Sequence, residues 1–303
     1  MPGFLHCQFF LFCLLSITGC SRSPTSELVI YTSQDKIYAE PIFRLFEKSH
    51  GIRIKPVFDS EAVKTAGLAN RLLAEKSFPQ ADLFWNNEEF HTRRLMARGV
   101  LESNFSVLGY RSRQLLVHRE KLDGIAAPTS LLELTNSRYA GKIVMAYPLF
   151  GTTATHLLVL KSLWGAEGWE RWCRELSRNQ LMVVDGNSIC AQQVNRGERA
   201  LGLTDSDDIR ALADRSPLLS SVSLKDDGYF IPNTVAIVTG SRNRKAAADF
   251  VAFLQSPEVR NRLIMAGAIE AVIPEPKVQI RWDLILSTGE ADLKKLHQIF
   301  TRS

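Results

Sequence analysis

The sequence predicts an α/β protein of two lobes, each a mostly parallel sheet with flanking helices, joined by a hinge of crossing strands. Three observations predict it. Strand-like and helix-like segments alternate from Leu28 almost to the C-terminus, polar clusters follow directly on strand ends, and two stretches, Val107 to Arg113 and Asn233 to Thr239, read as passages between blocks. The length of 303 residues at 45% hydrophobic content suits two cores better than one.

The elements follow in order. Leu28 to Tyr31 is a short apolar run and reads as a buried strand, and Tyr38, Ile42, Leu45 and Phe46 then recur at helical spacing until Gly51. Ile52 to Phe58 reads as strand, Ala62 to Glu75 as helix through Leu68, Leu72 and Leu73, and Leu83 to Trp85 as strand before a helix ending near Gly99. A second block repeats the scheme. Gln114 to His118 and Ile143 to Ala146 read as strands, Thr152 to Trp164 and Ala166 to Asn179 as helices, and Leu181 to Val184 and Leu201 to Leu203 as strands. Turn residues between Asp226 and Pro232 precede the return strand, and helices follow at Lys245 to Leu254, Pro257 to Ala266 and Leu293 to Phe300.

The first twenty residues are different in kind. Phe4 to Ile17 is almost wholly apolar and no charge appears before Arg22, which reads as a secretory signal too short to span a bilayer. Ile17-Thr18-Gly19-Cys20 resembles the lipobox of bacterial lipoproteins, although the segment before it carries no Lys or Arg. That resemblance implies lipidation of Cys20, a linker over 21–27, and a periplasmic or cell-surface protein held to the membrane only through its lipid. Cys173 and Cys190 are then the remaining thiols. With no C-x-x-C pair, zinc and thioredoxin chemistry are unsupported, and the two read as small buried hydrophobes. The net charge of +5 is spread out, and Arg242, Arg244 and Lys245 lack interleaved aromatics, so nucleic acid is not an expected partner.

Gly202 to Ile209 concentrates chemistry. Asp205, Asp207 and Asp208 follow a buried strand within four residues. At about 4 Å a pair of like charges costs roughly 4 kcal/mol at an effective dielectric near 20, so a cation or donor is wanted nearby. A helix N-terminus capped by Asp205 or Ser206 is the other reading.

Further polar groups also sit after strands: Thr32, Ser33, Gln34 and Asp35; Asp59, Ser60 and Glu61; Asn86, Asn87, Glu88 and Glu89; Asp185 with Gly186, Asn187 and Ser188. In parallel sheets ligands bind outside the carboxyl ends of strands, so lobes facing each other make a cleft. Gly151-Thr152-Thr153 opens a long helix and can cradle an anion, as can Asn187-Ser188. Donors for an anion beside acidic groups suit a hard cation with its counter-anion, or a zwitterion. Arg111 and Arg113 share one strand face and could grip a carboxylate or phosphate, or clamp the hinge. Trp85 reads as core. No G-x-S-x-G, H-E-x-x-H, P-loop or G-x-G-x-x-G is present, and His50, His91, His118 and His156 lack metal spacing, so an enzyme, with a secreted hydrolase as its form, is the less favoured class.

Several segments together resemble a known family. Val29 to Asp35, Phe46-Glu47-Lys48 before Gly51-Ile52, Ala81 to Glu88, Gly141-Lys142-Ile143 and Ile231 to Thr234 resemble the ferric-ion-binding substrate-binding proteins of ABC importers, in the type 2 periplasmic binding protein superfamily. The resemblance implies a monomer of two α/β lobes, 28–107 plus 233–274 and 108–232 plus 275–303, closing on solute and delivering it to a permease and its ATPase. It also implies no resident cofactor, with Fe(III) and a synergistic anion as cargo. The chain departs from those binders where they carry His at Asp35, Glu at Asn87 and adjacent tyrosines at Asp207 and Asp208. Asp35, Asp205, Asp207 and Asp208 remain as an oxygen ligand set, with Glu88 as a register-shifted addition. Thr32, Ser33, Gln34, Asn86, Asn87, Glu88, Arg111, Gly151, Thr152, Thr153, Asn187 and Ser188 are the expected anion or ligand contacts. Relatives that bind phosphorylated sugars or phosphonates make such a solute the alternative cargo.

Overall fold

The structure, a computed structural model, describes residues 27–59, 66–213, 216–224, 229–271 and 279–301. The expected signal, Cys20 and most of the linker lie outside the described residues, as do Ser60 and Glu61. Among the described residues nine strands form one sheet, numbered β1 (Glu27–Thr32), β2 (Arg53–Phe58), β3 (Leu83–Asn86), β4 (Ser106–His118), β5 (Ile143–Ala146), β6 (Met182–Val184), β7 (Leu201–Asp205), β8 (Leu219–Ser223) and β9 (Phe230–Ile237); eight follow one path in the order β2-β1-β3-β9-β4-β7-β5-β6, and β8 pairs with β4.

The first lobe is built on β1 (Glu27–Thr32), β2 (Arg53–Phe58) and β3 (Leu83–Asn86), which are mutually parallel and carry α1 (Lys36–His50), α2 (Ala66–Ala74) and α3 (Phe90–Ala97). The second is built on β5 (Ile143–Ala146), β6 (Met182–Val184) and β7 (Leu201–Asp205), again parallel, with α4 (Gly151–Arg178), α5 (Asn187–Asn195) and α6 (Ser206–Ala213). Helices α7 (Arg244–Leu254) and α8 (Pro257–Ala266) return to the first lobe, and α9 (Trp282–Phe300) packs on α4 and touches α3.

The lobes share β4 (Ser106–His118). Its first half pairs with β9 (Phe230–Ile237), and its second half pairs with β7 on one side and β8 (Leu219–Ser223) on the other. The expected crossover from Val107 to Arg113 and the strand from Gln114 to His118 are therefore one 13-residue strand. A bulge falls between Val107 and Gly109, where a Cβ on Gly109 would lie 2.5 Å from Ile269 Cδ1, so only glycine lets that segment approach. The return strand begins at Phe230 rather than Asn233, and α9 is longer than its apolar C-terminal half suggested. The two long helices of the second lobe are one helical run interrupted at Gly165, whose φ of 74° is left-handed.

Each lobe has its own core. Leu28, Ile30, Phe43, Phe46, Trp85 and Phe250 centre the first, and Leu115, Met145, Leu157, Trp169, Trp172 and Leu203 the second. Trp85 belongs to the core as expected, its indole donating to Asn233 Oδ1 at 2.7 Å. A smaller cluster of Phe90, Leu158, Tyr229, Ile231 and Ile285 joins the lobes behind the hinge. Cys173 and Cys190 are buried free thiols. No helix among the described residues is long and apolar enough to cross a membrane.

Candidate functional site

The carboxyl ends of β1, β3, β5, β6 and β7 point into one cleft between the lobes, as the rule for parallel sheets requires. The cleft encloses about 710 Å³ of empty space, part of it open to solvent. Asp35 and Asn87 line it from the first lobe, Arg111 from the hinge, and Gly151, Thr152, Thr153, Asn187, Ser188, Asp205, Asp207 and Asp208 from the second. Asp35 and Asp207, distant in sequence, thus face the same space.

Other expected contacts do not line it. Thr32 accepts from the Gln34 backbone, and Ser33 bridges Asn86 and Asn87, donating to Asn86 Oδ1 at 2.7 Å and accepting from the Asn87 N–H at 2.9 Å. Gln34 and Asn233 pair at 2.6 Å. These residues and Asn86 are buried because they stitch the ends of β1, β3 and β9 together, which presents Asn87 and Asp35 to the cleft.

Glu88 is also turned inward. Its carboxylate receives N–H groups from Phe90 and His91 at the start of α3, the Asn86 amide at 2.9 Å and, from the other lobe, the Thr155 hydroxyl at 2.5 Å. It is a buried helix-start acceptor tying the lobes. Burial raises its pKa to about 6 despite those donors.

At the heart of the cleft Asp205, Asp207 and Asp208 can place one oxygen each within 4.8 Å of one another. Both readings of this stretch describe it, since the aspartates also open α6. Two arginines have entered the cluster. Arg113 Nη1 donates to Asp205 Oδ1 at 2.8 Å and to Asn187 Oδ1 at 3.0 Å, while Arg111 Nη1 donates to Asp207 Oδ2 at 2.7 Å and lies 3.6 Å from Asp205 Oδ2. Arg111 Nη2 donates to the Asn87 carbonyl at 2.9 Å, reaching across to the first lobe. The remaining Asp205 oxygen accepts from Thr152 at 2.6 Å and Asn187 at 3.2 Å, so both Asp205 oxygens face donors. Burial pushes the Asp205 carboxyl up, but Arg113 and Arg111 more than reverse this and hold it below its ordinary value. For Asp207 burial prevails over Arg111, helped by the neighbouring Asp205 and Asp35 charges, and its pKa is raised. Burial would lower the Arg111 pKa; Asp207 and Asp205 raise it instead, so the guanidinium keeps its charge.

Thr152 and Thr153 sit in the first turn of α4 beside Asn187 at the start of α5. Asn187 donates to Thr152 Oγ1 at 2.7 Å and accepts from Thr153 at 3.2 Å. Two helix N-termini therefore converge on one wall, and their first N–H groups have no partner within their own helices. Tyr147, Phe150 and Asp185 also line it. Asp185 belongs to a polar cluster read from the sequence as following a strand, and Tyr147, just beyond β5, was reachable by the same rule. Tyr38, on α1, lies near enough to Asp207, Asp35 and Asp208 that their charges, after burial, help push its phenol up to about 12. Nothing in its apolar helical spacing marks it as different from Ile42.

The donor-rich wall, the acidic wall and the arginine between them form a pocket for a small polar solute. Residues 28–268 match the family profile described as bacterial extracellular solute-binding protein. The chain is 22% identical over 284 residues to the major ferric iron-binding protein of Neisseria gonorrhoeae, covering 85% of this chain and 84% of that one. Its fold matches iron-bound HitA from Pseudomonas aeruginosa with a TM-score of 0.78 at 19% identity, over 90% of this chain and 99% of that one. It also matches AfuA from Actinobacillus pleuropneumoniae, with exogenous fructose-6-phosphate bound, with a TM-score of 0.75 at 20% identity, over 91% and 97%. With its two-lobe periplasmic-binding-protein fold and a profile match spanning both lobes, the chain belongs to the bacterial extracellular solute-binding protein family.

Proposed function

We propose that this chain captures a small organic acid bearing a phosphate or phosphonate group outside the cytoplasm and hands it unchanged to the permease of an ABC importer. Arg111 inside the carboxylate cluster carries this reading. A guanidinium is a permanent cation, and this one already occupies an oxygen of Asp207, so it takes that carboxylate's charge out of a metal's ligand set. Asp205, with its oxygens committed to Arg113, Thr152 and Asn187, serves in this reading to position donors rather than to ligate a metal. The acidic head group rests on the N-termini of α4 and α5 and against Thr152, Thr153 and Ser188. The fructose-6-phosphate complex of AfuA supports it, since that protein shares the architecture. A lipid on Cys20 would hold the protein near its permease, where it works as a monomer.

Ferric iron with a counter-anion is the second reading. It is favoured by the clustering of Asp205, Asp207 and Asp208 and by the iron-binding relatives. In that case Asp35, Asp207 and Asp208 ligate, and the helix termini take the counter-anion. Calorimetry with fructose 6-phosphate and simple phosphonates against ferric citrate separates the two. Binding of the organic acids that survives a chelator supports the first reading, and binding of ferric citrate alone overturns it. Loss of the bound compound's integrity during the titration would instead indicate turnover.

A further inference from the structure

Building on the reading that Cys20 carries a lipid, we propose that the tip of the first lobe farthest from the cleft is a membrane-contact face, seated on the anionic headgroups of the bilayer that holds the lipid.

The first observation is where the tether meets the fold. The carboxyl ends of β1 and β3 point into the cleft, so their amino ends lie at the opposite tip of the lobe. Glu27 opens β1 at that tip, seven residues after Cys20 in the sequence. An extended chain spans at most about 3.5 Å per residue, so the tip stays within about 25 Å of the lipidated residue. Strand β9 runs antiparallel to β3, and the turn over 238–243 therefore returns to the same tip, where Asn243 Nδ2 donates to the Glu27 carbonyl at 3.0 Å.

The second observation is charge. Lys48 stands in the last turn of α1, Arg53 opens β2, Lys76 precedes β3 and Arg242 follows β9, which brings all four to this tip. They are exposed, and none is paired with a carboxylate among the described residues. Arg244 and Lys245 are offset by Glu102 and Asp249, and Glu27 is the exposed acid across from Arg53. The cleft at the other end is lined by Asp35, Asp185, Asp205, Asp207 and Asp208 around Arg111. An anionic surface attracts the basic tip and turns the acidic end away.

The third is an aromatic ring. Phe78 is 66% exposed in the turn before β3, and the Arg242 guanidinium lies over its ring at 4.9 Å from the centroid. A single exposed ring is ordinary by itself. This one sits on a turn fixed by its N–H donating to the Glu75 carbonyl at 2.8 Å, among unpaired cations, at the foot of the tether. Aromatic rings settle at headgroup depth, and a guanidinium beside them meets lipid phosphates. With the tip so seated, the six residues of β1 hold the cleft about 20 Å off the bilayer.

The test places the full chain, isolated from membranes, in nanodiscs of phosphatidylcholine with or without about 30% phosphatidylglycerol. A fluorophore is carried at Gln80→Cys, on the tip, or at Leu132→Cys, exposed on the second lobe, and its quenching by a lipid spin-labelled on the headgroup is read. Cys173 and Cys190 are buried and do not compete for the label. Anionic lipid should raise quenching at residue 80 by about threefold or more and leave residue 132 unchanged. Phe78→Ser combined with Arg242→Glu should abolish that rise at an unaltered thermal midpoint, both side chains being exposed. A rise that persists in the double variant overturns the assignment to this face. Quenching indifferent to anionic lipid, in a chain whose mass shows a lipid on Cys20, overturns the contact and leaves the lipid reading standing. A mass showing Cys20 without lipid overturns both.

Discussion

Arg111 Nη1 and Asp207 Oδ2 meet at 2.7 Å with both side chains about 95% buried, at the point where the hinge strand enters the cleft. The pair does two things. It gives one oxygen of a buried carboxylate a charged donor, and it sets a fixed cation where an iron centre would otherwise be built. Arg111→Gln separates these effects. Removing one partner of a buried pair should cost about 3–5 kcal/mol, read as a lower urea midpoint. The surviving protein should bind gallium(III), a redox-silent trivalent ion, at least about tenfold more tightly than the wild type. Unchanged gallium affinity would show that the guanidinium does not exclude metals.

Thr152 is the joint between the two helix termini and the acid cluster, donating to Asp205 and accepting from Asn187. Thr152→Val leaves both partners short of a hydrogen bond. Stability should fall by about 1–3 kcal/mol, and affinity for an organic phosphate should fall by about tenfold or more. Thermal denaturation with and without fructose 6-phosphate reads both. A loss of stability with the ligand-induced shift intact would limit Thr152 to a structural role.

Much of this arrangement is legible in the sequence, and for a physical reason. Strands end where apolar runs end, ligand groups follow strand ends, and helix starts carry Gly, Thr, Asn and Ser, so the residues from Gly151 to Thr153 and from Asn187 to Asp208 announce themselves. The rest depends on contacts between distant segments. Strand alternation places Arg111 and Arg113 on one face but does not say which face meets Asp205 and Asp207. Glu88 follows a strand like the true cleft residues, yet the N–H groups of α3 draw it inward. Strand β8, Leu-Ser-Ser-Val-Ser, is too polar to stand out and exists because β4 offers it an edge. The shared strand β4 reads as two pieces, a crossover and a strand, because Gly109 and the charged arginines interrupt its apolar pattern.

Glu88 gives the fold a pH signature. Its native pKa of about 6 lies above the ordinary carboxylate value of 4.5, so the native state holds this proton more tightly than the unfolded chain. The contribution is therefore fully present below about pH 4.5 and is lost as pH rises through about 6, amounting to about 2 kcal/mol. His91, whose pKa burial lowers to about 3, acts with the opposite sign, losing stability as pH falls below about 6.5. The difference between wild type and Glu88→Gln isolates the first effect. Denaturant unfolding at pH 4.5 and 7 should show wild type losing about 1.5 kcal/mol more than the variant on going up in pH. Parallel profiles would mean that Glu88 is not held above its ordinary value.

Gly109 is where the hinge strand passes Ile269. Gly109→Ala should cost about 1–3 kcal/mol, because the added methyl has nowhere to go without moving Ile269 or the bulge. Gly109 has no left-handed φ, so the expected loss is one of packing alone. A loss below about 0.5 kcal/mol, measured by urea unfolding, would show that Ile269 makes room for the methyl.

What the protein carries when purified tests the account most directly. Native mass spectrometry joined to elemental analysis, on chain isolated without chelator, should show one small phosphorus-containing acid per protein molecule and no stoichiometric metal. One iron per chain, with its counter-anion and no organic phosphorus, would contradict the account.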